Sequence, residues 1–308
     1  MCSPETISVV IVTHNQQRYV GKAIESVLNQ TVAPNQILAV DDCSDDRTPD
    51  ILTRYEQAYP DIIDVVLLER EYGIPATRNV GIKRATGDLI TFLDGDDYFN
   101  EHKLERERAA LTANDCEFAF SNFEYVDMTG ERIELWDSTG TLRPNRLLQR
   151  CLTRDFPDGN LFRDELVRRS LLQSVGGYDE DLPILEDWDL RIRLSASGEG
   201  VYVSEVLTAY RQHGDGISDR SSHSTSIELY EKIIKKHTGK LLADEVDTVR
   251  SIGKLLGGAA ERRLYRAVDR GDILCSLAYF VLFITSDPSE LKRLPDYARR
   301  GARRFFDN

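Results

Sequence analysis

Short apolar runs alternate with amphipathic segments over the first 120 residues of the chain. Residues 7–13 and 36–40 are rich in β-branched side chains and almost continuously apolar, which is typical of strands buried on both faces of a parallel sheet. Residues 61–68 and 88–93 repeat that pattern. The intervening segments have apolar residues at helical spacing and predict helices over residues 18–29, 48–59 and 75–85. This alternation predicts an α/β fold of three layers.

The pattern changes after residue 117. Residues 118–135 predict two short strands joined in a hairpin, and the less periodic residues 139–156 predict a loop over the site. Residues 163–174 and 187–197 predict helices, and residues 201–210 predict a returning strand or pair of strands. From residue 224 onward every segment has helical periodicity. A polar stretch at residues 221–226 suits a linker, so we predict one domain over 1–220 and a C-terminal helical region over 221–308.

Charge and cysteine content narrow the class of protein. The 308 residues include 39 Lys and Arg against 52 Asp and Glu, a net charge of −13, which would repel a nucleic-acid backbone and excludes a non-specific nucleic-acid binder. Five scattered cysteines without a CxxC pair, and an N-terminus without a signal peptide, predict reduced thiols in a cytoplasmic protein. The longest apolar stretch, residues 273–285, is well short of the roughly 20 residues that cross a bilayer.

Polar residues follow three of the predicted strands at the point where each ends. They are Thr13, His14 and Asn15, then Asp41 and Asp42, then the run Asp94, Gly95, Asp96 and Asp97. Ligands of open parallel sheets bind outside the carboxyl ends of the strands, so the three clusters predict one binding crevice. The alternative for each cluster alone is a solvated turn.

The acidic run predicts a metal site. Its three carboxylates in four residues repel one another unless a cation or hydrogen-bond donors compensate them. Mg²⁺ and Mn²⁺ bind carboxylate and phosphate oxygens, and Mg²⁺ usually keeps few protein ligands. An Asp-x-Asp (DXD) motif at a strand end is therefore suited to hold a metal-bridged diphosphate.

Four segments in order resemble a family 2 glycosyltransferase with the GT-A fold: ISVVIVTHNQQRYVGKAIESVLNQT, ILAVDDCSDDRT, GIPATRNVGIKRATGDLITFLDGDD and ILEDWDLRIRLSASG. The resemblance covers roughly residues 5–215 and leaves out the C-terminal helices. It implies a Rossmann-like α/β/α mixed sheet with a donor half at about 1–125 and an acceptor half at about 126–220. It also implies an inverting, metal-dependent hexosyltransferase that moves a sugar from a nucleotide-diphosphate sugar, with UDP as the expected nucleotide, to a hydroxyl acceptor in polysaccharide or glycolipid biosynthesis.

The resemblance assigns donor-binding roles to eight residues: Thr13, His14, Asn15, Asp42, Arg78, Asn79, Asp94 and Gly95. The segment from Thr13 would cradle the base, and Asp42 would accept from a base N–H unless it only caps a helix. Arg78 and Asn79 would approach the sugar or pyrophosphate, with an ion pair to Asp94 as the alternative for Arg78. Asp94 would face the ribose or the sugar.

The remaining roles concern the metal, the base and the acceptor. Asp96 resembles the direct metal ligand, with Asp97 beside it and His213 as a further ligand; a surface or core histidine is the alternative. Glu186 and Asp187 resemble the catalytic acid pair, with Asp187 as the base, although acids also suit the first turn of a helix. Trp188 and Tyr178 are the predicted acceptor-binding residues, a buried Trp being the alternative.

Two other functions and three roles for the C-terminal region stay open at this stage. A sugar-nucleotide nucleotidyltransferase would share a similar sheet and metal, and a non-catalytic homologue would bind a nucleotide sugar or glycan without transfer. Residues 273–306 combine an apolar segment with a basic tail. They suit a peripheral contact with the inner face of a membrane bearing a lipid-linked acceptor, a homodimer contact, or packing on the catalytic domain.

Overall fold

The computed structural model describes residues 4–139, 147–154, 156–157 and 160–213, and five helical residues, Leu229, Lys232, Ile233, Lys236 and His237. The chain divides into two units, residues 1–229 and 230–308. The predicted linker and nearly all of the predicted C-terminal helices lie outside the described residues. In the part of the chain that is described, no helix is long and apolar enough to cross a membrane.

Within the described residues, nine strands form one mixed sheet in the order β3-β2-β1-β4-β8-β6-β9-β5, with β7 paired to β6. The strands are β1 (Ile7–Thr13), β2 (Gln36–Asp41), β3 (Ile63–Leu67), β4 (Leu89–Asp94), β5 (Tyr98–Phe99), β6 (Phe118–Val126), β7 (Arg132–Trp136), β8 (Leu166–Arg168) and β9 (Gly200–Arg211). The first four are mutually parallel, and β8 runs antiparallel to β4 and β6. The sheet therefore has a parallel part, β1 to β4, and a mixed part, β5 to β9.

The helices connect and cover these strands. They are α1 (Val20–Leu28), α2 (Thr48–Ala58), α3 (Ile74–Arg84), α4 (Lys103–Asn114), α5 (Leu147–Thr153), α6 (Arg169–Ser174) and α7 (Glu186–Ser197). The first three alternate with β1 to β4, which confirms the predicted order of strands and helices over residues 7–94.

Strand β1 shows why the central strands are apolar throughout. Alternate residues of a strand face opposite sides of the sheet. Ile7, Val9 and Ile11 belong to the core cluster that α1 closes, and Val10 on the other side contacts Gly81 of α3. Both faces of the strand are thus covered by helices, which confirms the three-layer prediction.

Residues 139–174 depart from the prediction at two places. The helix predicted over residues 163–174 is wrong in its first part, because Leu166–Arg168 pairs with both β4 and β6 and only Arg169–Ser174 is helical. The loop predicted over residues 139–156 contains α5, whose Leu147, Cys151 and Leu152 are buried. The predicted hairpin is confirmed as the antiparallel pair of β6 and β7.

Gly81 provides a stability prediction for the contact between α3 and β1. A Cβ at this position would lie 2.3 Å from Cγ1 of Val10. We expect Gly81→Ala to lower the free energy of unfolding by roughly 1–3 kcal/mol, as overpacking does, measured by chemical denaturation. Gly21 in α1 is the matched control, because a Cβ there would meet only the Tyr55 ring at 3.5 Å or more. Gly21→Ala should be neutral or stabilising by up to about 1 kcal/mol; equal effects at both positions would contradict the prediction.

Candidate active site

The carboxyl ends of β1, β2 and β4 form one edge of the sheet. The strand register pairs Thr13 with Asp41 and Val12 with Asp94. The three polar clusters that follow these strands therefore lie side by side, and the acidic run is at the centre of the edge beside β1.

The cluster after β1 combines one buried and two exposed side chains. Thr13 is buried and its hydroxyl donates to Asp41 over 2.8 Å. His14 donates from Nδ1 to the carbonyl of Asp42 over 2.7 Å, and the Asn15 amide lies 3.2 Å from His14 Nε2. Asn15 has a φ of 55°, a left-handed conformation that Asn adopts more readily than most residues. The exposed His14 and Asn15 side chains thus have a set orientation at the mouth of the site.

Asp42 holds the entrance to α3. Its two carboxylate oxygens accept from the backbone N–H groups of Tyr72 and Gly73, each over 2.8 Å. Gly73 is the residue at the N-cap of α3, so Asp42 holds the loop that leads into this helix and does not cap the helix itself. A carboxylate has about four acceptor positions, so the same side chain retains acceptor capacity.

Arg78 lies where α3, β4 and α7 meet. Its two terminal nitrogens donate to Asp94 and to Glu186, each over 2.7 Å, and its side chain is almost fully buried. Burial alone would raise the pKa of Asp94, but Arg78 and then Arg163 outweigh it and hold that pKa below its ordinary value. Arg78 therefore keeps an ionised Asp94 next to the acid pair of α7.

Asn79 makes its hydrogen bonds within the protein. Its amide donates to the Tyr178 carbonyl and to Glu180, each over 2.9 Å, and its carbonyl oxygen accepts from the Tyr178 N–H over 2.8 Å. The buried side chain is thus used by the loop before α7 rather than turned toward a donor, and it positions that loop.

The acidic run separates into residues with different surroundings. Asp96 Oδ2 lies 2.8 Å from His213 Nε2, and the Asp96 side chain is 17% exposed. Tyr19 stacks on the His213 ring with centroids 5.1 Å apart. The structure thus brings together two of the three predicted metal ligands, which are 117 residues apart in the sequence.

Asp97, the third predicted ligand, is in the interior. Its Oδ1 accepts from the Arg211 N–H over 2.7 Å, and its Oδ2 lies 3.4 Å from Arg163. Burial raises the pKa of Asp97 well above its ordinary value, although Arg163 opposes that shift. The side chain is fully buried and fastens the turn after β4 to the end of β9.

The residues present fit a divalent cation with few protein ligands. Among the described residues, no group of three His, Cys, Asp or Glu side chains is arranged to hold a metal ion. Asp96 and His213 offer one carboxylate and one imidazole within 2.8 Å of each other. Mg²⁺ usually takes one or two carboxylates and completes its shell with substrate phosphates and water, so a pair of this kind is compatible with a diphosphate-bound ion.

Gly95 allows the turn of the acidic run to pack tightly. Its N–H donates to the Val12 carbonyl over 2.9 Å. A Cβ here would lie 2.4 Å from Oε1 of Gln16 and 2.6 Å from Cγ2 of Thr13. Gly95 therefore allows the backbone of the acidic run to approach β1 closely.

The acid pair at the start of α7 has two distinct environments. The Glu186 side chain is 8% exposed, and burial together with the Asp187 charge raises its pKa to about 7 against the opposing effect of Arg78. The Asp187 side chain is 42% exposed. Partial burial alone would raise the pKa of Asp187, but Arg191, Arg78 and Arg154 outweigh it and lower that pKa to about 2. At neutral pH Asp187 is thus ionised, whereas Glu186 is close to its pKa.

Both predicted acceptor-binding residues are buried. Trp188 is 1% exposed, and its indole N–H donates to the Cys151 carbonyl over 2.6 Å. The Tyr178 ring packs edge-on against Phe92 at 5.3 Å and lies 5.2 Å from the Arg78 guanidinium. Trp188 therefore joins α7 to α5, and the Tyr178 ring packs against the Arg78 guanidinium.

Three arginines that the sequence analysis did not identify organise the site. Arg163 lies 3.3 Å from Asp94 and 3.4 Å from Asp97, with Tyr210 stacked on its guanidinium. Arg211 donates from Nε to the Asp96 carbonyl over 2.9 Å, and Arg191 pairs with Asp187. Only Arg191 had a signal in the sequence, because residues four apart on a helix are neighbours.

Comparisons with known proteins agree with this fold. Residues 8–171, more than half of the chain, match the family model described as "Glycosyl transferase family 2". The "Uncharacterized glycosyltransferase YwdF" of Bacillus subtilis is 30% identical over 220 residues, which cover 69% of this chain and 77% of the relative. The "Putative teichuronic acid biosynthesis glycosyltransferase TuaG" of the same organism is 34% identical over 128 residues, which cover 42% of this chain and half of the relative.

A solved structure shows the same fold. The crystal structure of S. aureus TarS 1-349 superposes with a TM-score of 0.57 at 17% identity, covering 94% of this chain and 93% of that one. The family model and the relatives identify the class of protein as a glycosyltransferase. The chain belongs to glycosyltransferase family 2, and the resemblance noted in the sequence is confirmed.

Proposed function

We propose that this protein is an inverting glycosyltransferase that moves a sugar from a UDP-sugar to a hydroxyl acceptor in polysaccharide or glycolipid biosynthesis. The observation that carries the proposal is the unequal acid pair of α7, which Arg78 joins to Asp94 at the end of β4. TuaG is named for teichuronic acid biosynthesis, and TarS has been crystallised with UDP-GlcNAc and with UDP. Those names support a polysaccharide context and a uridine nucleotide here.

The transfer is a single displacement. The acceptor oxygen forms a bond to the anomeric carbon while the bond from that carbon to the diphosphate oxygen breaks, and the electron pair of the broken bond leaves with the diphosphate. The hydroxyl proton passes to Asp187, which is exposed and ionised at neutral pH. Attack on the face opposite the leaving group inverts the configuration.

Asp94 and Glu186 support this chemistry from either side of Arg78. Asp94 is available to the sugar or ribose hydroxyls as an ionised acceptor. Glu186 is buried and bonded to Arg78, so its role is to orient the arginine rather than to remove the proton. The two carboxylates hold both terminal nitrogens of Arg78 and leave it little freedom to move.

Asp96 and His213 would hold a Mg²⁺ or Mn²⁺ ion. Such an ion supplies Lewis-acid neutralisation of the charge on the diphosphate. The His213 nitrogen that now hydrogen-bonds Asp96 would become a ligand, which requires the neutral imidazole. Arg211 keeps the backbone of Asp96 in place through its carbonyl, independently of the carboxylate.

The nucleotide base is expected at the ends of β1 and β2. His14 and Asn15 are exposed there, and Asp42 retains acceptor capacity for an imide N–H beyond its two backbone contacts. Cytoplasmic localisation, a glycan or lipid-linked acceptor, peripheral membrane contact and a homodimer remain predictions. The last two concern the C-terminal region.

A thermal-shift screen with nucleotide sugars in Mn²⁺ tests the donor class. A ligand that binds only the folded protein stabilises it by roughly 2.7 kcal/mol at a hundredfold excess over its Kd. We expect one or more UDP-sugars to raise the Tm, with the matching GDP-sugar as control. A flat response to every UDP-sugar contradicts the proposed donor, and pyrophosphate release from a nucleoside triphosphate would identify a nucleotidyltransferase instead.

A further inference from the structure

Hydrogen bonds through one arginine connect Asp187 to the sheet. Arg191, one turn later on α7, donates from Nη1 to Asp187 Oδ2 over 2.5 Å. The other edge of the same guanidinium donates from Nε to Oε2 of Glu165 over 3.2 Å. Glu165 immediately precedes β8, so the contact joins the exposed carboxylate to the sheet.

Both members of the pair behind Asp187 are buried. The Arg191 side chain is 6% exposed and that of Glu165 is 3% exposed. The Phe162 ring lies 5.3 Å from the guanidinium. A charged pair this deep has few alternative partners and little rotational freedom, whereas Asp187 itself is 42% exposed.

We propose that Glu165 and Arg191 are positioning residues that aim the Asp187 carboxylate at the acceptor hydroxyl. The inference rests on the proposed function, in which Asp187 is the base. Neither residue needs to touch the substrate, because each acts through the next along the line from Glu165 to Arg191 to Asp187.

The geometry of arginine explains why this residue type is needed. The guanidinium is planar and offers donors along two edges, so that Glu165 fixes its plane while Nη1 holds Asp187. A lysine has a point charge on a flexible stem and cannot fix that plane. A misplacement of about 1 Å at a reacting group can lower the rate about 10²-fold.

The same pair affects the charge state of Asp187. The charged groups that face Asp187 are Arg191 and Glu186 on α7, Arg78 on α3, Arg154 at the end of α5 and Asp94 on β4. Arg191 favours the ionised carboxylate most strongly among the arginines. Its removal raises the pKa of Asp187, so the rate should begin to fall at a higher pH as the solution is acidified.

The test compares Arg191→Met, Arg191→Lys and Glu165→Gln with the wild type in Mn²⁺ and the UDP-sugar that the screen selects. We expect Arg191→Met to lower kcat about 10–100-fold with little change in donor KM, and to move the acid limb of the pH profile upward. Arg191→Lys should return the acid limb toward the wild-type position and restore kcat only in part. Glu165→Gln should lower kcat by less than Arg191→Met, because the amide oxygen still accepts from Nε.

Arg193→Met is the matched control. Arg193 is also on α7, pairs with Asp189 and donates to the Val175 and Gly177 carbonyls. Its loss should lower the Tm and leave the acid limb in place. The inference is overturned if Arg191→Met lowers only the Tm, or if Arg193→Met moves kcat and the acid limb equally. Absence of sugar transfer by the wild type would instead contradict the proposed function.

Discussion

Replacing Asp187 by asparagine is expected to lower kcat about 10²–10⁴-fold, the usual contribution of a positioned general base. The attacking hydroxyl must lose its proton as the new bond forms. Asparagine has nearly the same shape as aspartate, and its one side-chain oxygen can still accept from either Arg191 or the Trp188 N–H, so the backbone of α7 should persist. Its amide cannot take the proton at neutral pH. Donor affinity and Tm should therefore change little, measured by nucleotide-sugar titration and thermal unfolding.

The neighbouring acid provides the control for this prediction. Glu186→Gln keeps a hydrogen-bond acceptor for Arg78 and should be less damaging than Asp187→Asn, since Glu186 is buried and faces the arginine. If Asp187 serves only as a helix-end acid, its replacement should cost roughly 0.3–1 kcal/mol of stability and leave turnover nearly normal. A greater loss of kcat in Glu186→Gln would show that the pair is right and the base is misassigned.

The parallel part of the sheet could be predicted because its central strands are buried on both faces. Runs such as residues 7–13 have little polarity to confuse the pattern, and every residue of β1 and β2 is buried. The hydrophobic pattern does not predict α4, whose buried face includes Lys103 and Glu107. These side chains are fully buried and paired over 2.7 Å, so two core positions look polar in the sequence.

The structure of the mixed part of the sheet depends more on long-range contacts. Leu166–Arg168 is too short to show a strand period, and it is extended because β4 and β6 provide partners on both sides. A short segment between two strands gains ladder hydrogen bonds that local propensity does not report. Prediction of a helix there followed the local pattern, which tertiary pairing overrides.

The site shows the same division between local and distant information. Parallel strands bring their carboxyl ends to one edge, so the clusters at the ends of β1, β2 and β4 could be identified from spacing alone. The spacing could not show which of the two adjacent acids, Asp96 or Asp97, faces outward. Asp97 is turned inward by Arg163 and by the Arg211 N–H, residues 66 and 114 positions away, and Asp96 is left beside His213. Trp188 is likewise turned inward, where its indole N–H donates to the carbonyl of Cys151 on another helix.

Replacing Asp96 by alanine is expected to abolish the metal-dependent part of donor binding and to leave the fold intact. Its carboxylate lies against His213, while its backbone carbonyl is held separately by Arg211 and does not depend on the side chain. Loss of one of two protein ligands should weaken UDP-sugar binding in Mn²⁺ about tenfold or more, or ~1.4 kcal/mol. Titration of the donor at several Mn²⁺ concentrations measures this effect.

Asp97→Asn distinguishes a metal ligand from a structural acid in the same turn. Asp97 is buried and accepts from the Arg211 N–H, and an amide that fits this contact imperfectly should cost roughly 1–3 kcal/mol of stability. Donor binding by the folded protein should keep its Mn²⁺ dependence, because the Asp96 and His213 pair is retained. The opposite pattern, with Mn²⁺ dependence unchanged in Asp96→Ala and lost in Asp97→Asn, would mean that the inward-facing acid binds the ion and that the turn rearranges when the donor arrives.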